Sequence, residues 1–118
     1  MSKNDSLASI TDQMREFTRA RDWHQFHDPK SLLLALVGEV GELSELLQWL
    51  PAQEANELAQ QEPLNHRLGE EMSDVLLYLV RLADVCGVDL GQAVHEKLSA
   101  NEQRFLVSDV HGEAPLKE

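Results

Sequence analysis

Two pairs of carboxylates, each spaced three residues apart, stand out along this chain. They are Glu39 and Glu42 in Gly38-Glu39-Val40-Gly41-Glu42-Leu43, and Glu71 and Asp74 in Glu70-Glu71-Met72-Ser73-Asp74-Val75. Both lie in apolar runs of helical character, where a step of three residues sets two side chains on one face. Four acids facing one another between helices repel strongly, and divalent cations relieve that repulsion. Magnesium takes hard oxygen ligands while leaving positions open, so such a cluster points to phosphate chemistry. A solvated acidic face is the ordinary reading of any single Glu-x-x-Glu; here both pairs have apolar neighbours on either side. Gly38 and Gly41 add weight, because glycine inside a helix costs about 1 kcal/mol relative to alanine. Two of them one turn apart predict the close approach of another backbone or a ligand. No histidine stands three residues after any of the four acids, unlike the Glu-x-x-His of di-iron bundles. The all-oxygen set favours magnesium or manganese over iron or zinc.

Other residues could serve the same site. Only six aromatic residues occur, yet Trp23 and Phe26 share one short segment, Arg21-Asp22-Trp23-His24-Gln25-Phe26-His27-Asp28-Pro29. At about 100° per residue, Glu39, Glu42, Leu46 and Trp49 fall on one side of their helix, with Glu45 further round. Glu71, Asp74 and Tyr78 share a side of theirs. Rings beside a phosphate-metal site could stack a nucleobase, and they could equally pack in a core or an oligomer contact. His27 could bond a base edge or simply pack. Lys97, Asn101 and Arg104, at i, i+4 and i+7, form a row suited either to phosphate oxygens or to a solvated helix end. No Gly-x-x-x-x-Gly-Lys-Ser/Thr loop is present, which excludes a P-loop site.

The elements that must hold these residues read as four main helices. The first spans about Ser6 to Ala20, with Leu7, Ile10, Met14 and Phe17 as its apolar stripe. The second starts near Ser31 as N-cap and ends at Pro51. A connection from Ala52 to Pro63, rich in Gln, Glu and Ala, has room for a short helix. The third runs from about Leu64 to Cys86 and stops at Gly87; the fourth opens on Asp89 as N-cap and reaches about Phe105. Residues 1–118 read as a single all-α domain, a four-helix bundle with a core of about 6–106 and a mobile tail over 107–118. On the third helix, Met72, Val75, Leu76, Leu77, Leu79, Val80, Leu82 and Ala83 make an apolar arc wider than the roughly 100° stripe of a surface helix. A small monomer cannot bury that arc, which predicts a homo-oligomer, a dimer or a tetramer.

Composition narrows the function. With 118 residues, 42% apolar and 26% charged, the chain can build one core. Its net charge of -11 argues against gripping a nucleic-acid polymer or an anionic membrane electrostatically. Cys86 is the only cysteine, so no intrachain disulfide can form, as suits a reducing cytoplasm; beside Gly87 it reads as a small buried apolar residue. Met1 to Asp5 is polar, without the apolar stretch of a signal peptide, and no apolar run reaches about 18 residues.

The acid pairs, with 28 residues between Glu42 and Glu71, resemble the signature of the MazG-like all-α nucleoside triphosphate pyrophosphohydrolases. The segments Arg21 to His27, Leu32 to Leu46, Gln48-Trp49, Glu71 to Val80 and Lys97-x-x-x-Asn101-x-x-Arg104 are most similar to the dCTP pyrophosphatase branch. The resemblance covers about Ile10 to Phe105. It implies hydrolysis of a nucleoside triphosphate, most of all dCTP or a modified dCTP, to the monophosphate and pyrophosphate. By it, Glu39, Glu42, Glu71 and Asp74 bind Mg2+, with Mn2+ as a substitute, and Glu42 or Glu39 activates water. Trp23, His27, Trp49 and Tyr78 line the base and sugar pocket, and Lys97, Asn101 and Arg104 contact phosphate. It also implies dimers or dimers of dimers with sites between subunits. One position departs: a substrate-binding histidine nine residues before the loop tryptophan is Met14 here. The alternatives are the same reaction on dUTP or non-standard triphosphates, and a non-catalytic nucleotide-binding or scaffolding bundle.

Overall fold

The computed structural model describes residues 6–114. Every regular element among them is helical: α1 (Leu7–Ala20), α2 (Pro29–Leu47), α3 (Ala52–Leu58), α4 (Leu64–Val85), α5 (Leu90–Arg104) and α6 (Val107–Val110), with a 3₁₀ turn at His24–Phe26. Contacts divide the chain into two compact units, one ending at Val88 and the other beginning at Asp89.

In the first unit α4 is the central element, packing against both α2 and α1. Leu32 of α2 and Leu68, Val80 and Ala83 of α4 form its buried apolar core, and Thr18 of α1 is buried with them. The core is small because the apolar residues of α2 and α4 are spread around the helices and not confined to one stripe. Leu34 and Val37 remain 61% and 58% exposed, and Met72 52%. The wide arc expected on α4 is therefore only partly covered by this chain.

The ends of the helices obey local chemistry. Ser6 caps α1, accepting from Ser9 N–H at 3.0 Å. The expectation that Ser31 caps α2 is corrected. Asp28 is the cap, accepting from Ser31 N–H at 2.9 Å and from Ser31 Oγ–H at 2.7 Å. Pro29 occupies the first turn, where its missing N–H has no bond to lose. Helix α2 also stops at Leu47, earlier than Pro51, and the short helix allowed for in the connection is α3. Gly87, at φ 69°, follows the end of α4 in the left-handed region that glycine enters freely. Cys86, read as buried, is exposed at that helix end, where it is the C-cap residue of α4.

In the second unit Asp89 caps α5, accepting from Gln92 N–H at 3.0 Å, as its sequence predicts. Where a polar tail was expected, Val107–Val110 makes one helical turn; residues 115–118 lie outside the described part.

Candidate active site

Helices α2 and α4 carry the carboxylates toward each other. One oxygen from each of Glu39, Glu42 and Glu71 can be chosen so that all three lie within 4.8 Å of one another. Glu39 and Glu71 are half-buried and Glu42 is exposed. Among the described residues, no donor other than a protonated carboxyl of the pair itself reaches Glu39 Oε2 or Glu71 Oε2, although both atoms are shielded from solvent. Leaving buried carboxylate oxygens unmatched is costly, and carboxylates so placed are usually paired or bound to metal. The electrostatics express the same conflict. Burial, then the charges of Glu42 and Asp74, push the Glu39 carboxyl up to about 7. Burial and then Glu42 raise Glu71 as well. Hard oxygen donors in mutual repulsion with unmatched lone pairs fit a divalent cation. Glu45 is not part of the close triad, as the helical angles predict.

Asp74 acts on Glu39 through its charge but stands outside the triad. It lines a cavity of about 710 Å³ together with Trp23, His27 and Tyr78, floored by Met14, Phe17 and other apolar residues of α1 and α4. The loop that presents Trp23 is built by backbone hydrogen bonds. Trp23 N–H donates to the Thr18 carbonyl at 3.0 Å, and Asp22 turns the chain at φ 54°. Gln25 Nε2 donates to both the carbonyl and the carboxylate of Asp22. The Trp23 ring then meets Phe17 edge-on, with centroids 5.8 Å apart.

Trp49 lies elsewhere. It follows the end of α2, is 82% exposed, and lines a second cavity of about 660 Å³ with Glu42, Glu71 and Arg67. One chain thus brings Trp23, His27, Tyr78 and Asp74 to one cavity and Trp49 to another. Among the described residues nothing packs on Gly38 or Gly41: a Cβ at either would meet no atom within 4 Å beyond its chain neighbours and its own helix backbone. Lys97, Asn101 and Arg104 are on α5, in the second unit. Lys97 and Arg104 are exposed, Asn101 is half-buried, and the Arg104 guanidinium lies over the Phe105 ring at 4.8 Å.

A connected polar network escaped the sequence reading. Arg81, buried in α4, donates from Nε to His27 Nδ1 at 3.0 Å and from Nη1 to Asp84 Oδ2 at 3.2 Å. Arg15 of α1 grips Asp84 at 2.6 and 3.0 Å. The available signal was a lone arginine within the apolar run Val80-Arg81-Leu82-Ala83. Arg67 was also passed over, although it precedes Glu71 by one helical turn.

Two helices that bring three carboxylates within ligand reach, with a fourth acid lining an aromatic cavity, make an all-α protein whose acidic cluster is compatible with a divalent cation. Comparison with known proteins gives that class its family. The model of the MazG nucleotide pyrophosphohydrolase domain matches residues 27–105. The chain is 49% identical over 113 residues to dCTP pyrophosphatase 1 of Bos taurus, covering 96% of this chain and 67% of that protein. It is 50% identical over 113 residues to the protein of that name from Rattus norvegicus, spanning 66% of its length. A crystal structure of a pyrophosphatase from Archaeoglobus fulgidus superposes with a TM-score of 0.77 at 34% identity, over 85% of this chain and 92% of that one. The chain belongs to the MazG nucleotide pyrophosphohydrolase family, and it is an enzyme of that class.

Proposed function

We propose that this enzyme hydrolyses dCTP, or a dCTP modified on its base, to the monophosphate and pyrophosphate. The observation that carries the reading is the carboxylate triad of α2 and α4, together with Asp74, whose charge acts on Glu39 and which lines the cavity of Trp23, His27 and Tyr78. About half of all positions are shared with proteins named dCTP pyrophosphatase 1 across nearly the whole chain, which supports the choice of base.

Glu39, Glu42 and Glu71 would hold Mg2+, or Mn2+ as a substitute, with Asp74 completing the set by resemblance. The two unmatched oxygens and the raised Glu39 support that assignment. When bound, the cation neutralises triphosphate charge and polarises the phosphoryl oxygens. Glu42 or Glu39 orients a water and accepts its proton. The water oxygen bonds to the α-phosphorus, the bond from that phosphorus to its bridging oxygen breaks, and pyrophosphate departs with the electron pair. Trp23, His27 and Tyr78 line the pocket for the base and sugar, where an aromatic face can stack on a nucleobase, and Trp49 joins them by resemblance. Lys97, Asn101 and Arg104, on one face of α5, contact phosphate oxygens by resemblance.

The functional form is a homo-oligomer, a dimer or a tetramer. Its support is the exposed apolar face of Leu34, Val37 and Met72, the open space at Gly38 and Gly41, and the separation of Trp49 from the other rings. The enzyme works in the cytoplasm on free nucleotides, not on nucleic-acid polymers or membranes. Its charge of -11 suits that, and no helix among the described residues is long and apolar enough to cross a membrane.

The test is pyrophosphate release from a panel of triphosphates, with and without Mg2+. Fastest release from dCTP or 5-substituted dCTP, lost on chelation, is the expected result. Preference for dUTP or a non-standard triphosphate overturns the base assignment, and binding without release overturns catalysis.

A further inference from the structure

We propose that Arg81, held in place by Asp84 and Arg15, is a positioning residue that fixes His27 in the tautomer with its proton on Nε2, so that His27 donates to an acceptor atom of the nucleotide. The identity of the ligand rests on the proposed function; the tautomer rests on this chain's own geometry.

A guanidinium has donors only and does not lose its proton in a protein. With Arg81 Nε–H directed at His27 Nδ1 at 3.0 Å, that nitrogen must present its lone pair. The neutral ring then carries its proton on Nε2, since the bond made by one nitrogen sets the state of the other. An imidazolium would bring N–H against N–H. The surroundings agree: burial, then the positive charges of Arg81 and His24, lower the His27 pKa from its ordinary value.

Arg81 is itself fixed. It is buried, and its Nη1 donates to Asp84 Oδ2 at 3.2 Å. Asp84 is gripped from α1 by Arg15 through Nη2 at 2.6 Å and Nε at 3.0 Å. The relay therefore joins α1, α4 and the loop carrying Trp23, and a shift in any of them would move the imidazole. Once Nδ1 is taken, Nε2 is the ring's only remaining polar atom, and His27 lines the cavity with Trp23, Asp74 and Tyr78. A fixed donor selects acceptor atoms, which cytosine presents as its O2 and N3 and which the deoxyribose presents as its ring oxygen. A ring free to exchange tautomers would accept as readily as it donates.

The test begins on the full-length wild type without nucleotide. Ring 15N chemical shifts of histidine, with His27 assigned through His27→Asn, report which nitrogen carries the proton. Protonated Nε2 and bare Nδ1 at neutral pH are expected, and Arg81→Gln should give a tautomer mixture. A proton on Nδ1, or a cationic ring, in the wild type overturns the proposal whether or not any variant folds. Kinetics with dCTP and Mg2+ supply the second arm. Arg81→Gln and His27→Ala should each raise KM about tenfold, the worth of one hydrogen bond, with kcat little changed. In the double variant the Arg81 change should add nothing, and losses that multiply instead would overturn the relay. An Nε2-protonated ring in a protein that processes no triphosphate would support the positioning and overturn the substrate reading.

Discussion

Glu39 and Glu71 face each other across α2 and α4, each with one shielded carboxylate oxygen, Oε2, that no other described residue satisfies; only a proton shared between the two carboxyls would bridge them. Two packed helices would not ordinarily keep such a pair, because the folded state must hold charge that the unfolded chain solvates freely. The cluster is thus a local destabilisation, relieved by a proton or, in the proposed reading, by a cation.

The sign of that relief can be measured. Glu39 is pushed up to about 7 in the folded protein from an ordinary 4.5. A carboxyl raised on folding favours the folded state at low pH, and the benefit is lost as the pH rises through the folded value. Without metal, the Tm should fall between about pH 4.5 and about pH 7, and Mg2+ should raise it more at pH 8 than at pH 5. Glu39→Gln, which keeps the shape and removes the charge, should raise the metal-free Tm at pH 8 and shrink the response to Mg2+. Differential scanning fluorimetry across pH decides it, and a magnesium response independent of pH would count against the site.

Activity should depend on both members of the split acid set. Glu42→Ala and Asp74→Ala are each expected to reduce turnover by about a hundredfold or more, with far-ultraviolet circular dichroism unchanged. Glu42 is exposed in the triad and Asp74 stands beside the cavity, so neither replacement hollows the core. Wild-type turnover in either variant would remove that residue from the metal set.

Oligomerisation should fail when charge enters the exposed apolar face of α2. Leu34 and Val37 are 61% and 58% exposed in one chain, so Leu34→Glu meets little resistance within the fold. Sedimentation at micromolar concentration should find an assembly for the wild type and monomer for the variant. A wild-type monomer with full activity would rule the assembly out.

The tie between α1 and α4 has its own pH signature. Arg15, first by its hydrogen bond, holds the Asp84 carboxyl below the ordinary 3.8. A lowered carboxyl contributes stability above its unfolded pKa, and that contribution is lost as the pH falls through the folded value. Asp84→Asn should destabilise the protein at pH 7, through loss of the solvated Arg15 contact and, more, through loss of the carboxylate that pairs with the buried Arg81. The gap should close as the pH drops below about 3.8, and chemical denaturation at the two pH values would show it.

Much of this was legible along the chain. Helix-period spacing indicated α1, α4 and α5, and Asp89 and Gly87 marked the boundary between the last two. The caps misled where two candidates competed: Asp28 and Ser31 are both good capping residues, and Asp28 prevails because Pro29 pre-sets the first turn. Helical angles separated Glu45 from the acids that meet. They could not reveal that Trp49 stands past the end of α2, since angular reckoning assumes a helix that continues.

Sequence alone determined the helical class and the acid pairs, because these depend on residue type and on spacing within one element. Tertiary structure decided which acids lie within ligand reach, which rings share a cavity, and that a buried arginine governs His27. Those relationships join residues as far apart as Arg15 and Asp84. Their geometry follows from how α1, α2 and α4 pack, which periodicity along a single helix does not encode.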